Sequence, residues 1–434
     1  MVQERIAVVG LGYVGIPLAA LLADKGFDVV GIDVSKERAS KVNEGVLPLK
    51  GVEPGLSSML TRGVRDRRLR ATTDYAHLAD RTAVFVCVDT PIDEHRRPDY
   101  SRLVQAVTDI GRNMRKGTLV VIESTIAPGT MLDLVAPALE KGSGLLRGKG
   151  FKLAHCPERV MPGRLLRNLR EYDRVVGALD RRSAERAVAI YSTITKGELH
   201  TTDLTSAEVA KTAENAYRDV QIAFANEVAL ICEGLGCDAF EVRRLVNSCP
   251  FRDMHVPGAG VGGHCLPKDP WLLVHGAKGT DPRLIPAARA VNDSMPFHVL
   301  DLVEEALRRA HVKKKRAVVA VLGASFLQDS GDTRNSPTVP LLESLKGCVA
   351  ELRLHDPFVD SLAGVEASDD PKDVLRGADL AVVMVAHEAY GKMTPAAIKK
   401  LMRTPAVVDG RNVFSSDRMA KAGFVYLGVG KGLT

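Results

Sequence analysis

The residues best suited to chemistry in this 434-residue chain crowd into one stretch, Pro257-Gly258-Ala259-Gly260-Val261-Gly262-Gly263-His264-Cys265-Leu266-Pro267-Lys268-Asp269-Pro270. Its glycines leave a bare backbone whose N–H groups can approach an anion or a sugar. Cys265 follows directly, with Lys268 and Asp269 within four residues. A thiol in electropositive surroundings is partly ionised and nucleophilic. The alternative is a glycine-rich structural loop with an incidental cysteine. A second group is Lys211, Asn215 and Arg218. At i, i+4 and i+7 they share one face of a helix, either solvated or aimed into a site. A third is His155-Cys156-Pro157-Glu158-Arg159-Val160-Met161-Pro162-Gly163, where a Glu-Arg pair between prolines could orient a polar substrate or lie on a surface loop.

A fourth group binds rather than reacts. Ile6-Ala7-Val8-Val9 runs into Gly10-Leu11-Gly12-Tyr13-Val14-Gly15, then into an apolar helical stretch that ends at Gly26. Val29-Val30-Gly31-Ile32 is a second strand, closed by Asp33, 18 residues after Gly15. Strand, glycine turn, helix, strand and terminal acid together predict a dinucleotide-binding βαβ unit. The glycines let the backbone approach a pyrophosphate, which the helix N-terminus attracts. Asp33 suits both ribose hydroxyls and so favours NAD over NADP, although Lys36 and Arg38 stand close by.

These groups need elements to hold them. Ala83 to Val88 and Leu119 to Ile122 read as buried strands ending at Thr90 and Thr125, and in an open parallel sheet such carboxyl ends bind ligands. Thr205 to Gly234 has no internal Gly or Pro and predicts one long helix, apolar on several sides and suited to packing against a second subunit. Further strands are expected at Ala317 to Gly323, Leu352 to Pro357 and Leu380 to Val385, with Val407-Val408-Asp409 as the last. The fold class expected is α/β, two doubly wound Rossmann-like domains joined by a long central helix. The domains are drawn as 1–200 for the dinucleotide, 201–310 for the central helix and cysteine loop, and 311–434 for the substrate.

Composition narrows the partners. Hydrophobic residues at 45% and charged residues at 26% are those of a globular protein rather than a disordered or coiled-coil chain. The formal charge of +6 is spread thinly. Its densest runs, Arg65 to Arg70 and Lys313 to Arg316, lack the interleaved aromatics of a nucleic-acid platform and read as solvated surface. No stretch of about 18 apolar residues suggests a membrane span. Met1-Val2-Gln3-Glu4-Arg5 has no signal-peptide pattern, so the expected location is cytoplasmic. Seven cysteines without a CxxC pair suggest no disulfide framework, and most are expected to be buried small hydrophobes. His264 beside Cys265 lacks ligand spacing, so no metal is expected.

Taken together, the Gly10–Gly15 fingerprint, Val88-Asp89-Thr90-Pro91, Glu123-Ser124-Thr125 with Pro128-Gly129-Thr130, Pro157-Glu158-Arg159, Lys211 with Asn215, Gly262-Gly263-His264-Cys265 through Lys268-Asp269, and Asp332-Thr333-Arg334-Asn335-Ser336-Pro337 resemble the nucleotide-sugar 6-dehydrogenases, the UDP-glucose/GDP-mannose dehydrogenase family. The resemblance covers nearly the whole chain. It implies an NAD-dependent, four-electron oxidation of a primary alcohol to a carboxylate, in the service of polysaccharide biosynthesis, by a homodimer or higher oligomer.

By the same resemblance, Cys265 forms a thiohemiacetal and then a thioester. Lys211 acts as acid/base and shares an oxyanion hole with Asn215. Asp269 and Thr125 hold the hydrolytic water, and Glu158 assists hydrolysis. Gly10, Gly12, Tyr13, Val14, Gly15, Asp33, Arg38, Thr90, Thr125, Lys268 and Arg334 are assigned to the cofactor. The UDP-sugar is assigned to Arg159, Val160, Lys211, Asn215, Arg218, Gly262, Phe326 and Arg411, with Arg252 crossing from a second subunit.

Within the family, Glu158 to Gly163 and Tyr217-Arg218-Asp219-Val220 look most like the enzymes acting on UDP-N-acetylmannosamine. UDP-N-acetylglucosamine and UDP-glucose are the rival substrates. A two-electron β-hydroxyacid dehydrogenase and a non-catalytic NAD sensor are the rival classes. The chain departs from the family pattern at Leu327, where a lysine is usual, and in a slightly shorter Arg252–Cys265 loop.

Overall fold

A computed structural model describes residues 4–49, 53–161 and 163–432. Met1–Gln3 of the N-terminus and Pro162 of the Glu158–Gly163 stretch lie outside the described residues. The chain divides into two compact units. The first is Met1–Glu214 with Trp271–Thr280, the second Asn215–Pro270 with Asp281–Thr434.

In the first unit, strands β1 (Arg5–Val9), β2 (Asp28–Ile32), β3 (Leu69–Thr72), β4 (Ala83–Val86), β5 (Leu119–Ile122), β6 (Lys152–His155), β7 (Arg174–Ala178) and β8 (Leu199–Asp203) form one sheet, in the order β3-β2-β1-β4-β5-β6-β7-β8. Every pairing is parallel except β6 with β7. Ile6, Val8, Phe85 and Val121 bury themselves on one face, and Ala7, Val9, Val84 and Val120 on the other. Two covered faces are why these strands read as unbroken apolar runs. The chain runs from β1 to β2 on one side and from β4 to β5 on the other, so the carboxyl ends of the adjacent β1 and β4 form a topological switch point. The helix Gly15–Asp24 starts there and stops where expected: Gly26 has φ +91° and Phe27 N–H donates to the Leu22 carbonyl, closing the last turn.

The second unit holds β9 (Val318–Leu322), β10 (Glu351–His355), β11 (Ser361–Leu362), β12 (Val365–Ser368), β13 (Leu380–Val383), β14 (Ala406–Asp409) and β15 (Val425–Gly428), in the order β11-β12-β10-β9-β13-β14-β15. Only β11 and β12 pair antiparallel. Val407 to Asp409 is therefore not the last strand. β15 follows it and adds in parallel at the sheet edge, and being only four half-buried to buried residues it carries a weak apolar signal. The long helix runs over Leu204–Leu235, as expected. A second one, Leu284–Arg309, contains Pro296, whose ring ordinarily argues against a helix interior. Among the described residues, no helix is long and apolar enough to cross a membrane.

The expectation for the cysteines fails. Only Cys156 and Cys232 are buried, while Cys237, Cys249 and Cys348 are exposed. Each of these three sits just past a helix end, its N–H bonded back to the carbonyl of Cys232, Val246 and Leu345 respectively, in a turn that faces water. All seven are free thiols.

Candidate functional site

In the first unit the nucleotide cradle is built from close contacts. Gly10 has φ +90°, and a Cβ there would lie 2.6 Å from the Cys87 carbonyl oxygen. A Cβ on Gly15 would lie 1.8 Å from the Gly10 oxygen, whereas one on Gly12 would meet nothing within 4 Å. So Gly10 and Gly15 are required by the turn itself, and Gly12 keeps open the space a pyrophosphate needs. Asp33 is buried at the end of β2 and accepts from the Leu11 N–H at 2.7 Å, the Ser35 N–H at 2.9 Å and the Arg38 guanidinium at 3.0 Å. Its carboxylate thus orders the glycine turn and holds Arg38 beside it. Tyr13 and Val14 are half-buried at the start of the helix. These residues fit an NAD.

At the neighbouring strand ends, Thr90 Oγ1 donates to the Thr125 carbonyl at 2.6 Å, and both side chains are buried. Below them lies a cluster that sequence reasoning passed over. Arg174 donates twice to Glu123, Tyr191 donates to the same carboxylate, and the Arg174 Nε–H reaches Cys156 Sγ at 3.3 Å. Burial dominates and raises Glu123, while Arg174 and Tyr191 act in the opposite sense. The cluster supports the segment after β6, where the Glu158 N–H donates to the Glu123 carbonyl. Glu158 Oε2 accepts the Val160 N–H at 2.6 Å. Arg159 binds Glu214 at 2.9 Å and the Asp173 carbonyl at 3.0 Å, so its guanidinium is anchored by the helix that carries Lys211.

Lys211 is 5% exposed, which rules out the solvated reading at its own position, while Asn215 one turn on is half-buried and Arg218 is exposed. Its charge, after burial, helps push the neighbouring His155 down to about 4, so His155 is neutral. His155 Nδ1 donates to the Ile122 carbonyl at 2.9 Å. One turn before Lys211 stands Glu208, a second residue the sequence reading missed. It is fully buried and accepts the Gly129 and Met131 N–H groups at 2.8 and 2.7 Å. An acid three positions before a lysine, in an apolar helix, was the available signal.

Burial raises Glu208 to about 7 from 4.5, against those two donors. The folded chain holds this proton more tightly than the unfolded one. The stability it contributes is complete below about pH 4.5 and is lost as pH rises through about 7. Glu208→Gln cannot ionise, so its Tm relative to the parent should climb steadily from pH 5 to pH 8, on top of a constant offset from the amide facing the Gly129 N–H. Parallel Tm curves, measured by thermal circular dichroism, would show that Glu208 does not titrate in this range.

In the second unit the Cys265 loop is gripped from three sides. Asn226, on the long helix, accepts the Gly258 N–H at 2.9 Å and donates to Asn292, which donates to Asp219, itself paired with buried Arg289. Arg411 donates to the Gly260 carbonyl at 3.0 Å and the Met384 carbonyl at 2.9 Å, and burial brings it down to about 10. Its expected role at the substrate is thus joined by a role in shaping the loop. The Gly263 N–H donates to the Arg334 carbonyl at 2.8 Å, and Asn335 donates to the Gly263 carbonyl at 2.9 Å.

Phe326 lies over the loop's glycines. A Cβ on Gly262 would stand 2.5 Å from its Cβ, and one on Gly263 2.8 Å from its ring. The Cys265 carbonyl then accepts the Lys268 and Asp269 N–H groups, which begins the helix Asp269–Gly276. Asn215 Nδ2 donates to Asp269 Oδ2 at 2.5 Å, and Lys268 Nζ is 3.2 Å from Asp269 Oδ1. The structure therefore brings Asn215, Lys268 and Asp269 together. Arg218 and Arg252 are exposed, and Arg334 pairs with Asp332.

Comparison with known proteins covers nearly the full length. Models of the UDP-glucose/GDP-mannose dehydrogenase family match residues 4–195 (NAD binding domain), 205–294 (central domain) and 320–416 (UDP binding domain). The UDP-N-acetyl-D-mannosamine dehydrogenase of Pyrococcus horikoshii is 39% identical over 428 residues, 99% of each chain. The solved structure of the UDP-D-ManNAc dehydrogenase from Pyrococcus horikoshii superposes with a TM-score of 0.92, covering 99% of this chain and 100% of that one at 39% identity. That of the NDP-N-acetyl-D-galactosaminuronic acid dehydrogenase from Methanosarcina mazei gives 0.90, at 40% identity and 99% and 96% coverage.

Proposed function

Because this chain belongs to the UDP-glucose/GDP-mannose dehydrogenase family and is an NAD-dependent nucleotide-sugar dehydrogenase, we propose that it oxidises the C6 alcohol of UDP-N-acetylmannosamine to the uronate through a thioester on Cys265. The observation that carries the substrate is the end-to-end 39% identity with the Pyrococcus horikoshii protein of that name. The three-part division at residues 200 and 310 is part of this reading.

Gly10, Gly12, Gly15, Asp33 and their neighbours would hold an NAD, which would supply the hydride acceptor for both oxidations. In the first, Lys211, once it has given up its own proton to solvent, takes the hydroxyl proton as the C6 alcohol becomes an aldehyde, and so returns to the ammonium form. The Cys265 thiolate then adds to the aldehyde carbon, and Lys211 and Asn215 stabilise the oxyanion, an effect of a few kcal/mol. Protonated, this is the thiohemiacetal. It keeps the carbon at a level that can lose a second hydride, and it prevents escape of the aldehyde. Loss of that hydride and of the hydroxyl proton leaves the thioester. Water, held by Thr125 and Asp269 with Glu158 assisting, adds to the carbonyl, the carbon–sulfur bond breaks, and carboxylate and thiolate are released. Arg159, Val160, Arg218, Gly262, Phe326 and Arg411 contact the sugar nucleotide, with Arg252 contributed to a partner's site. Lys268 and Arg334 reach the cofactor.

The exposed Tyr217, Phe224 and Ile231 recur every seven residues along the long helix, a continuous apolar stripe that suits a second copy of the chain. We place the enzyme in the cytoplasm, where a free nucleophilic thiol stays reduced.

A substrate panel tests the reading. UDP-N-acetylmannosamine should give two NADH and one carboxylate per sugar, identified by mass, with a higher kcat/KM than UDP-N-acetylglucosamine, UDP-N-acetylgalactosamine or UDP-glucose. Preference for the galactosamine sugar would move the chain to the activity named for the Methanosarcina relative. One NADH per substrate would sink the four-electron mechanism. Light scattering on the same sample should give twice the chain mass, and a monomer would remove the role of the stripe.

A further inference from the structure

Beyond the residues assigned to substrate, the second unit contains a fully buried histidine with a fixed protonation pattern. His387 has no exposed side-chain surface, and neither has Asp356. The Asp329 N–H donates to His387 Nδ1 at 2.9 Å, so Nδ1 carries a lone pair. His387 Nε2 lies 3.0 Å from Asp356 Oδ2 and so carries the proton. Two partners of opposite kind thus fix which ring nitrogen carries the proton, and Asp329 Oδ1 also stands 3.6 Å from Nδ1. Ser325 Oγ approaches the same Nε2 at 3.4 Å and donates to the Leu327 carbonyl. This is not a hydrolytic triad, in which serine and acid sit on opposite ring nitrogens.

What the histidine holds is a turn. Asp356 also accepts the Ala324 and Ser325 N–H groups at 2.7 and 3.1 Å. His387 and Asp356 therefore clamp both ends of the segment 324–329. At its centre the Phe326 N–H donates to the Asp332 carbonyl, and the Phe326 side chain covers Gly262 and Gly263, where no Cβ would fit. Two residues further along that loop is Cys265.

We propose that His387 is a positioning residue for the oxidation: through the 324–329 turn and Phe326 it seats Gly262–Gly263, and with them the Cys265 thiol. The claim rests on Cys265 being the nucleophile. It predicts a positional effect, because displacing a reacting group by about 1 Å can cost on the order of 100-fold in rate.

The test is a double-mutant cycle in the full-length enzyme. His387→Phe, which loses both ring contacts, should lower kcat for the nucleotide sugar about 10- to 100-fold. The KM for NAD should stay unchanged. The rate at which iodoacetamide alkylates Cys265, followed by peptide mass, should change as well. His387→Gln keeps a donor towards Asp356 and should recover part of the rate. In Phe326→Ala the His387 substitution should cost little more, because the route through the ring is already cut.

Full kcat in a folded His387→Phe, or additive losses in the double variant, would overturn the proposal. So would loss of fold in both His387 variants, since the residue would then be structural only. The two readings fail separately. If Cys265→Ser still yields two NADH per sugar, the nucleophile is wrong. If that variant is dead while the His387 variants run at full rate and alkylate normally, only the positioning role is wrong.

Discussion

Cys265→Ser should stop the enzyme short of the carboxylate. A serine hydroxyl is almost wholly protonated at neutral pH, whereas the thiolate is a strong nucleophile near its own pKa. Even if the serine oxygen adds to the aldehyde, the product of the second oxidation is an oxygen ester, which hydrolyses more slowly than a thioester. The expected loss in steady-state NADH formation is about 10³-fold or more, the scale on which loss of a covalent nucleophile is felt. NAD binding should be unaffected, because none of the residues that form the glycine turn is altered. Stopped-flow absorbance at 340 nm, with mass analysis of the sugar product, measures both the burst and its endpoint. A burst of no more than one NADH per site is expected. Sustained production of two NADH and one carboxylate would remove Cys265 from the mechanism.

Lys211→Ala should lower kcat by about 10² to 10⁴, the combined scale of a lost acid/base and a lost oxyanion donor. The geometry makes this sharper than an ordinary surface lysine would allow. Lys211 is buried on a helix that is fixed one turn to either side of it, by Glu208 at the Gly129–Met131 turn and by Arg159 at Glu214. An ammonium held out of water acts on a developing oxyanion at much lower effective dielectric than one on the surface. Lys211→Arg should restore little, since a planar guanidinium that stays protonated cannot shuttle the proton. The split between kcat and KM discriminates: a fall carried by kcat with KM for the sugar within a few-fold marks a transition-state role. A variant that keeps near-parental kcat would leave Lys211 as a buried structural charge.

Several of these residues act through contacts made far along the chain. Arg159 meets Glu214 across 55 positions, and Arg411 reaches Gly260 across 151. Neither pairing leaves a mark in the local sequence, and each turns a residue expected only at the ligand into one that also shapes the site. Pro296 hides its helix for a related reason. A proline lowers the helical signal of its own segment, yet in the fold it is buried and lies against Gly260, where a Cβ on the glycine would stand 3.1 Å from the ring. The three exposed cysteines mislead in the opposite direction. Residue type alone favours burial, but helix-end turns set their exposure.

The amino-acid sequence by itself determined the central strands of the two sheets, the glycine turn with its terminal acid, the long helix and which residue types were available for chemistry. All of these are written in patterns that span a few neighbouring residues: apolar runs for strands covered on both faces, φ > 0 at Gly10 and Gly26, and helical spacing for Lys211 and Asn215. Tertiary structure decided the rest. It buried Lys211, seated Phe326 on Gly262 and Gly263, and held His387 between Asp329 and Asp356. The physical reason is that desolvation and hydrogen-bond partnership depend on what the returning chain places alongside a group, and a single stretch of sequence does not contain that neighbour.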